Sequence, residues 1–257
     1  MDLKIAIVGA GNVASFFAKK FHAAGCTIVS ITSKNLSHAQ SLASEVQALA
    51  SNNLSTIPSD IDYLLFAVSD DALKACVDQV PASNHFCWLH TSGSVSNAIF
   101  EEKTNRYGVF YPLQTFSKSV SLQQTTFPVL IEASSNEVQK SLENLATQIQ
   151  LTTKYVNSEN RKHIHLAAVF ACNFSNHLFQ IASEILKENQ LPFELLLPLI
   201  QETVAKLQVM DPAAAQTGPA IRNDQATLAA HVTLLKDHPQ WEAIYSILSA
   251  QIQATKA

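Results

Sequence analysis

From its first residues the chain alternates two periodicities. KIAIVGAG is a short apolar run that ends in glycines, and the spacing predicts a strand. NVASFFAKKFHAAG then carries apolar residues at helical spacing and stops at Gly25, a helix terminator. CTIVSIT reads as the next strand and SHAQSLASEVQAL as the next helix. DYLLFAVSDDAL reads as a buried strand running into a helix that Ser69, Asp70 or Asp71 can cap. HFCWLHTSGSV is a strand that opens into a polar loop. RYGVFYPLQTF and FPVLIEAS add two strands, SNEVQKSLENLATQI a helix and TKYVN a last short strand. Strands that are apolar throughout, alternating with helices, predict a doubly wound, mainly parallel α/β sheet of the Rossmann type with helices on both faces.

Near Asn157 the pattern changes. From Ser158 to Ala257 no strand pattern recurs, and helical runs are broken at Pro192, around DPAAAQTGPA and at Pro239. The expected organisation is a sheet domain over residues 1–157 and an all-α domain over residues 158–257. NRKHIHLAAVFACNFSNHLFQIASEILK predicts one long helix, apolar on most sides, of the kind other helices bury within a domain or across a dimer. On a regular helix His165, Asn173, Asn176 and Gln180 fall within about 80° of one another, with His177 at the edge. That stripe either looks into a reaction pocket, with Asn173 and His177 as catalytic candidates, or forms an interhelical hydrogen-bond network.

Composition narrows the classes. Hydrophobic residues at 47% and charged residues at 15% mark an ordered globular chain. A formal net charge of -4 offers no basic footprint, so no nucleic-acid partner is expected. No apolar run is long enough for a membrane span, and MDLKIAIVG lacks the basic, apolar and small-residue sections of a secretory signal. Cys26, Cys76, Cys87 and Cys172 form no CxxC pair, and His and Cys show no ligand spacing, so reduced thiols, no metal site and a cytoplasmic location are expected.

Candidate chemistry starts in IAIVGAGNVA. In a dinucleotide-binding turn the first glycine permits the tight bend and the second lets the backbone approach the pyrophosphate. The third allows the helix to pack closely on the strand. Gly9 and Gly11 meet the first two needs and Ala14 stands third; the helix start at Asn12 and Val13 would aim its N–H groups at phosphate. The plainer alternative is a Rossmann-like bend that has lost its ligand. After the second strand, SITSKN contains Ser33, Lys34 and Asn35, and no acid occurs between Asp2 and Glu45. Without a carboxylate for the ribose hydroxyls, and with a lysine present, the turn suits the 2′-phosphate of NADP better than NAD, although a solvated turn would read the same way.

Other strand ends supply further candidates. Backbone groups of Val68 and Ser69 should line the cofactor cleft. In HTSGS, His90 is a candidate proton donor or orienter and Ser92 a substrate contact; a capping loop around a buried histidine is the alternative. YPLQTFS, from Tyr111 to Ser117, is a third wall, with Gln114 facing the cleft. In TGPAIRND, Arg222 either binds an anionic substrate or sits on a surface where Asn223 or Asp224 caps the next helix.

The GxGxxA start, HTSGS, YPLQTFS, HLAAVFACNFSNHL and TGPAIRND, in that order, resemble the Rossmann-like proteins with a DUF2520 helical C-terminal domain. The resemblance covers nearly the whole chain and implies an NADP- or F420-dependent oxidoreductase, with pyrroline-5-carboxylate reductase and the 3-hydroxyisobutyrate and 6-phosphogluconate dehydrogenases as wider relatives. In those two dehydrogenases a catalytic lysine precedes an asparagine by four on the long helix; here Val169 holds that place before Asn173. The expectation is an NADP-linked reductase of a small carbonyl or imine substrate, forming a homodimer through the helical domain, with NAD or F420 as less favoured cofactors. A non-catalytic NADP-binding or sensing protein, or an F420-dependent NADP oxidoreductase, is the alternative.

Overall fold

The computed structural model describes residues 3–117 and 126–255. The chain divides into two compact units, Met1–Cys172 and Asn173–Ala257. In the first, eight strands form one sheet in the order β3-β2-β1-β4-β5-β6-β7-β8. They are β1 (Lys4–Val8), β2 (Thr27–Thr32), β3 (Leu49–Ser51), β4 (Tyr63–Phe66), β5 (Cys87–His90), β6 (Tyr107–Pro112), β7 (Pro128–Ala133) and β8 (Thr152–Tyr155). Every described pairing is parallel except β6 with β7. The order reverses at β1, which lies between β2 and β4. At such a switch point a crevice opens at the carboxyl ends of the strands, where ligands of doubly wound sheets bind.

Four helices belong with the strands: α1 (Asn12–Ala23), α2 (Leu36–Glu45), α3 (Asp70–Gln79) and α4 (Asn136–Gln148). The sheet is covered on both faces, which is why its central strands carry apolar residues at successive positions. One core holds Phe17, Phe21 and Phe110; the other holds Phe66, Trp88 and Phe100, with Phe66 and Trp88 stacked at 5.7 Å. α1 ends as its sequence predicts. Gly25 takes φ +82°, and the Cys26 N–H reaches back to the Phe21 carbonyl at 3.0 Å. β3 is only three residues long, too short to show a period in the sequence.

α5 (Ser158–Ala168) closes the first unit. It does so through a buried ion pair: the Arg161 guanidinium, fully buried, donates to Glu132 of β7 at 2.6 Å. The same guanidinium donates to the Val95 carbonyl at 2.5 Å and to the Ser158 hydroxyl at 3.2 Å. All-helical structure thus begins at Ser158, while the first compact unit runs on to Cys172 because α5 is bonded to the sheet.

The second unit contains α6 (Ser175–Glu188), α7 (Leu197–Lys206), α8 (Pro219–Arg222), α9 (Gln225–Leu234) and α10 (Pro239–Ala254). Between α5 and α6 the residues Val169–Phe174 form a π-helical segment, so the long helix predicted over 160–187 is not one regular α-helix. A π turn changes the angular step per residue, so the stripe computed at a constant step does not carry across it. Asp224 caps α9 by accepting from the Thr227 N–H at 3.1 Å. Among the described residues no helix is long and apolar enough to cross a membrane.

Candidate functional site

The β1–α1 turn is built around two glycines with different duties. Gly9 has φ +117°, and a Cβ there would lie 2.2 Å from the Ala67 carbonyl oxygen at the end of β4. Only glycine fits, because the turn is pressed against the neighbouring strand. Gly11 precedes α1 with an extended backbone, and a Cβ there would meet none of the described residues within 4 Å. Among the described residues no side chain caps α1. The positive end of the helix therefore faces open space across a residue that keeps that space clear. Ala14 is fully buried, as close packing of α1 requires. The Asn12 side-chain amide donates to the Phe116 carbonyl at 2.8 Å and ties the segment after β6 to the helix start.

At the end of β2 the Ser33 N–H donates to the Ser51 carbonyl at 3.0 Å, and Lys34 is exposed with no ion pair among the described residues. Asn35 caps α2: its side-chain oxygen accepts from the N–H groups of Ser37 and His38 at 3.0 and 3.3 Å. Its oxygen is therefore committed, which leaves only the amide NH2 for a ligand. Val68 and Ser69 follow β4, with Ser69 at the start of α3 and Asp70 and Asp71 in the first turn.

The HTSGS loop differs from its predicted role. His90 is fully buried, and its Nδ1 accepts from the Ser92 N–H at 3.1 Å, which places the proton on Nε2. Among the described residues Nε2 has no hydrogen bond of ordinary geometry. Burial pushes the imidazole pKa down to about 3, the Arg161 charge adds to the effect, and the Ser96 carbonyl and Asp70 offset only part of it. A neutral, buried ring is a poor proton donor, so burial argues against the first of the two roles expected for His90. Ser92 is also redirected inward. It is buried, and its hydroxyl accepts from the N–H groups of Ser94 and Val95 at 3.1 and 3.0 Å. It shapes the turn, and only its O–H proton is left to donate. The Gln114 side-chain oxygen accepts from the Thr115 N–H at 2.8 Å, so this group holds its own loop.

Two polar contacts stand at the same carboxyl edge on the β4–β6 side of the switch point. The Ser94 hydroxyl donates to the Asp70 carboxylate. The Tyr111 hydroxyl, one residue before the end of β6, lies 3.0 Å from His165 Nδ1 of α5, with the rings edge to face at 5.9 Å. The loop approaches so closely that a Cβ on Gly93 would fall 2.6 Å from His165 Nδ1. Both Tyr111 and His165 are half-buried. Burial raises the Tyr111 pKa, with the Asp70 carboxylate acting in the same direction and Arg161 against it. Tyr111 and His165 each stand out in the sequence, one in a strand-end wall and one on a helix stripe. Their pairing does not, because 54 residues separate them.

The remaining candidates, Asn173, His177 and Arg222, are exposed residues of the second unit. Cys26 and Cys87 are buried and Cys76 is half-buried, but Cys172 is exposed, so it is not the core thiol the sequence suggests. No group of three or more His, Cys, Asp or Glu side chains able to hold a metal occurs among the described residues.

Residues 4–86 match a family described as NADP oxidoreductase, coenzyme F420-dependent, and residues 127–252 match DUF2520, a domain of unknown function. A candidate NADP oxidoreductase from Bacteroides fragilis, BF3122, is 36% identical, with 98% of each chain covered and a TM-score of 0.91. An imine reductase from Myxococcus stipitatus, solved with NADP+, shares 16% identity over 98% of this chain and 94% of its own, at a TM-score of 0.65. A 1-pyrroline-5-carboxylate reductase from Streptococcus pyogenes shares 10% identity over 98% of both chains, at a TM-score of 0.64. The last two likenesses show a shared fold. No curated protein matches. With an uncapped helix end behind a two-glycine turn, matches along both halves and 36% identity over almost its whole length, the chain belongs to the NADP oxidoreductases whose Rossmann-like region is joined to a DUF2520 domain.

Proposed function

We propose that the protein is an NADP-dependent reductase of a small carbonyl or imine compound. The observation that carries the reading is the pair of phosphate-binding features on one sheet edge. The open, uncapped start of α1 behind Gly11 suits a pyrophosphate, and Lys34 beyond β2 suits the additional monoester of NADP. When bound, NADPH supplies a hydride. The protein's part is to hold the nucleotide across the switch point, exclude water and deliver a proton. The B. fragilis relative, described in the same terms, supports the cofactor. The reductase neighbours support the reaction class through their common fold.

The match of residues 4–86 supports a second reading, hydride exchange between F420 and NADP. Titration calorimetry with NADPH, NADH and F420 separates the readings. On the first, NADPH binds and F420 releases no heat; on the second, both bind. Replacing Lys34 by Ala should weaken NADPH by about tenfold, the loss of one charge-assisted contact of about 1.4 kcal/mol, and leave NADH affinity unchanged. Equal weakening of both nucleotides would remove Lys34 from the 2′-phosphate site. The partner expected beside the cofactor is a small molecule and a second copy of the chain.

A further inference from the structure

We infer that Tyr111, held in place by His165, is the group that protonates the substrate as hydride arrives. The inference rests on the proposed NADP-dependent reduction and adds the residue that completes it. A dinucleotide laid across the switch point has one end over β2 and the other over β4 to β6. With Lys34 holding the first end, a bound nicotinamide would lie toward the second, where Tyr111 closes β6. Among the titratable groups at that end, His90 is sealed and neutral and Asp70 bonds the Ser94 hydroxyl. Tyr111 is half-buried, carries an O–H and has a second titratable group behind it.

The structure orders the pair in three ways. Arg161 is bonded to Glu132, Val95 and Ser158, which fixes α5 on the sheet. His165 stands one helical turn after Arg161 and so faces the same way. Gly93 leaves room for the imidazole that any larger residue would fill. The Tyr111 hydroxyl and His165 Nδ1 stand 3.0 Å apart; in the tautomer that carries its proton on Nδ1, His165 donates to the Tyr111 oxygen and leaves the phenolic O–H to turn toward the crevice. The proton balance is then complete. A hydride forms the new C–H bond at the carbonyl carbon and the C=O π pair moves to oxygen. The Tyr111 O–H bond breaks and its proton goes to that oxygen. Solvent then restores the phenol through the imidazole: His165 takes a proton at Nε2 as its Nδ1 proton passes to the phenolate oxygen, so that no imidazolate forms. The net reaction consumes one hydride and one proton and yields the alcohol, or the amine from an imine. Burial and the Asp70 carboxylate keep the phenol protonated beforehand; Arg161 opposes them and Cys172 acts with them.

The test needs a readout that does not depend on finding the substrate. Oxidised nicotinamide carries a positive charge that reduced nicotinamide lacks. A phenol beside the ring should therefore titrate about one pH unit lower with NADP+ bound than with NADPH bound. Subtracting the near-ultraviolet phenolate signal of Y111F from that of wild type isolates this one of five tyrosines. H165N should move the titration in both complexes. Calorimetry should show Y111F binding either nucleotide within about threefold of wild type. NADPH oxidation over a carbonyl and imine panel should fall by about a hundredfold or more in Y111F. Identical Tyr111 titrations in the two complexes, or undiminished turnover by Y111F, would overturn the assignment and leave NADP binding intact. Absence of heat with either nucleotide would remove the functional reading itself.

Discussion

His90 ends a strand, β5, in which all four residues are buried, and its ring packs against Phe100 at 5.6 Å. A histidine kept neutral in such a place makes stability depend on pH with a fixed sign. In the unfolded chain its pKa is near 6.5; in the folded protein it is about 3. Below about pH 6.5 the unfolded state takes up the proton first, so its population grows as pH falls and the contribution is lost down toward the folded value. The expected slope is about 1.4 kcal/mol per pH unit within that window. H90N can still accept the Ser92 N–H and has no charge to gain. Urea midpoints of both proteins at about pH 7 and about pH 5 should therefore show a larger acid loss for wild type. Parallel losses would mean that the ring is not sealed. At this scale the sequence shows which residues are chemically able and hides which are free. His90 and Ser92 read as site groups because they follow an apolar strand, yet burial and a turn commit both. The need for glycine at position 9 is legible because the strand-to-helix turn there is pressed against the end of β4.

α5 is fastened to the sheet by one cation. Arg161 has no exposure and shares its donors among Glu132, Val95 and Ser158. Glu132 stands in a strand otherwise apolar from Val129 to Ala133, an anomaly that the sequence displays without naming its partner 29 residues away. Removing one member of a buried pair leaves the other charge stranded, so R161A should cost about 3–5 kcal/mol. The double variant R161M/E132L should recover most of that loss, since two apolar side chains restore packing without a buried charge. Denaturant unfolding measures both. A double variant as unstable as R161A would show that the hydrogen bonds to Val95 and Ser158, not the ion pair, fix the helix. Element types were largely readable from periodicity. What escaped were features that periodicity cannot carry: a three-residue edge strand, the antiparallel β7 and the π segment at Val169–Phe174.

The two units differ in how well each fills its own interior. Nearly all the buried hydrophobic residues lie in the first; in the second, among the described residues, only Ile181 and Ala220 are buried. Yet the second unit is rich in leucine, isoleucine and valine. Phe174, Leu195, Leu199, Val204, Leu234 and Ile247 are each at least half exposed. Helices of that composition need apolar surface to pack against, and much of theirs stays exposed. We propose that a second copy of the chain supplies it, since an isologous contact makes one apolar surface complementary to itself. Sedimentation should then report a dimer, and the melting temperature should rise with protein concentration. L199D discriminates sharply. On a free surface the substitution should change stability by about 0.5 kcal/mol or less, whereas inside an interface it buries an unpaired charge and should cost several times more and release monomer. A monomeric wild type, with L199D as stable as its parent, would mean that the helical unit meets its packing needs without a second copy.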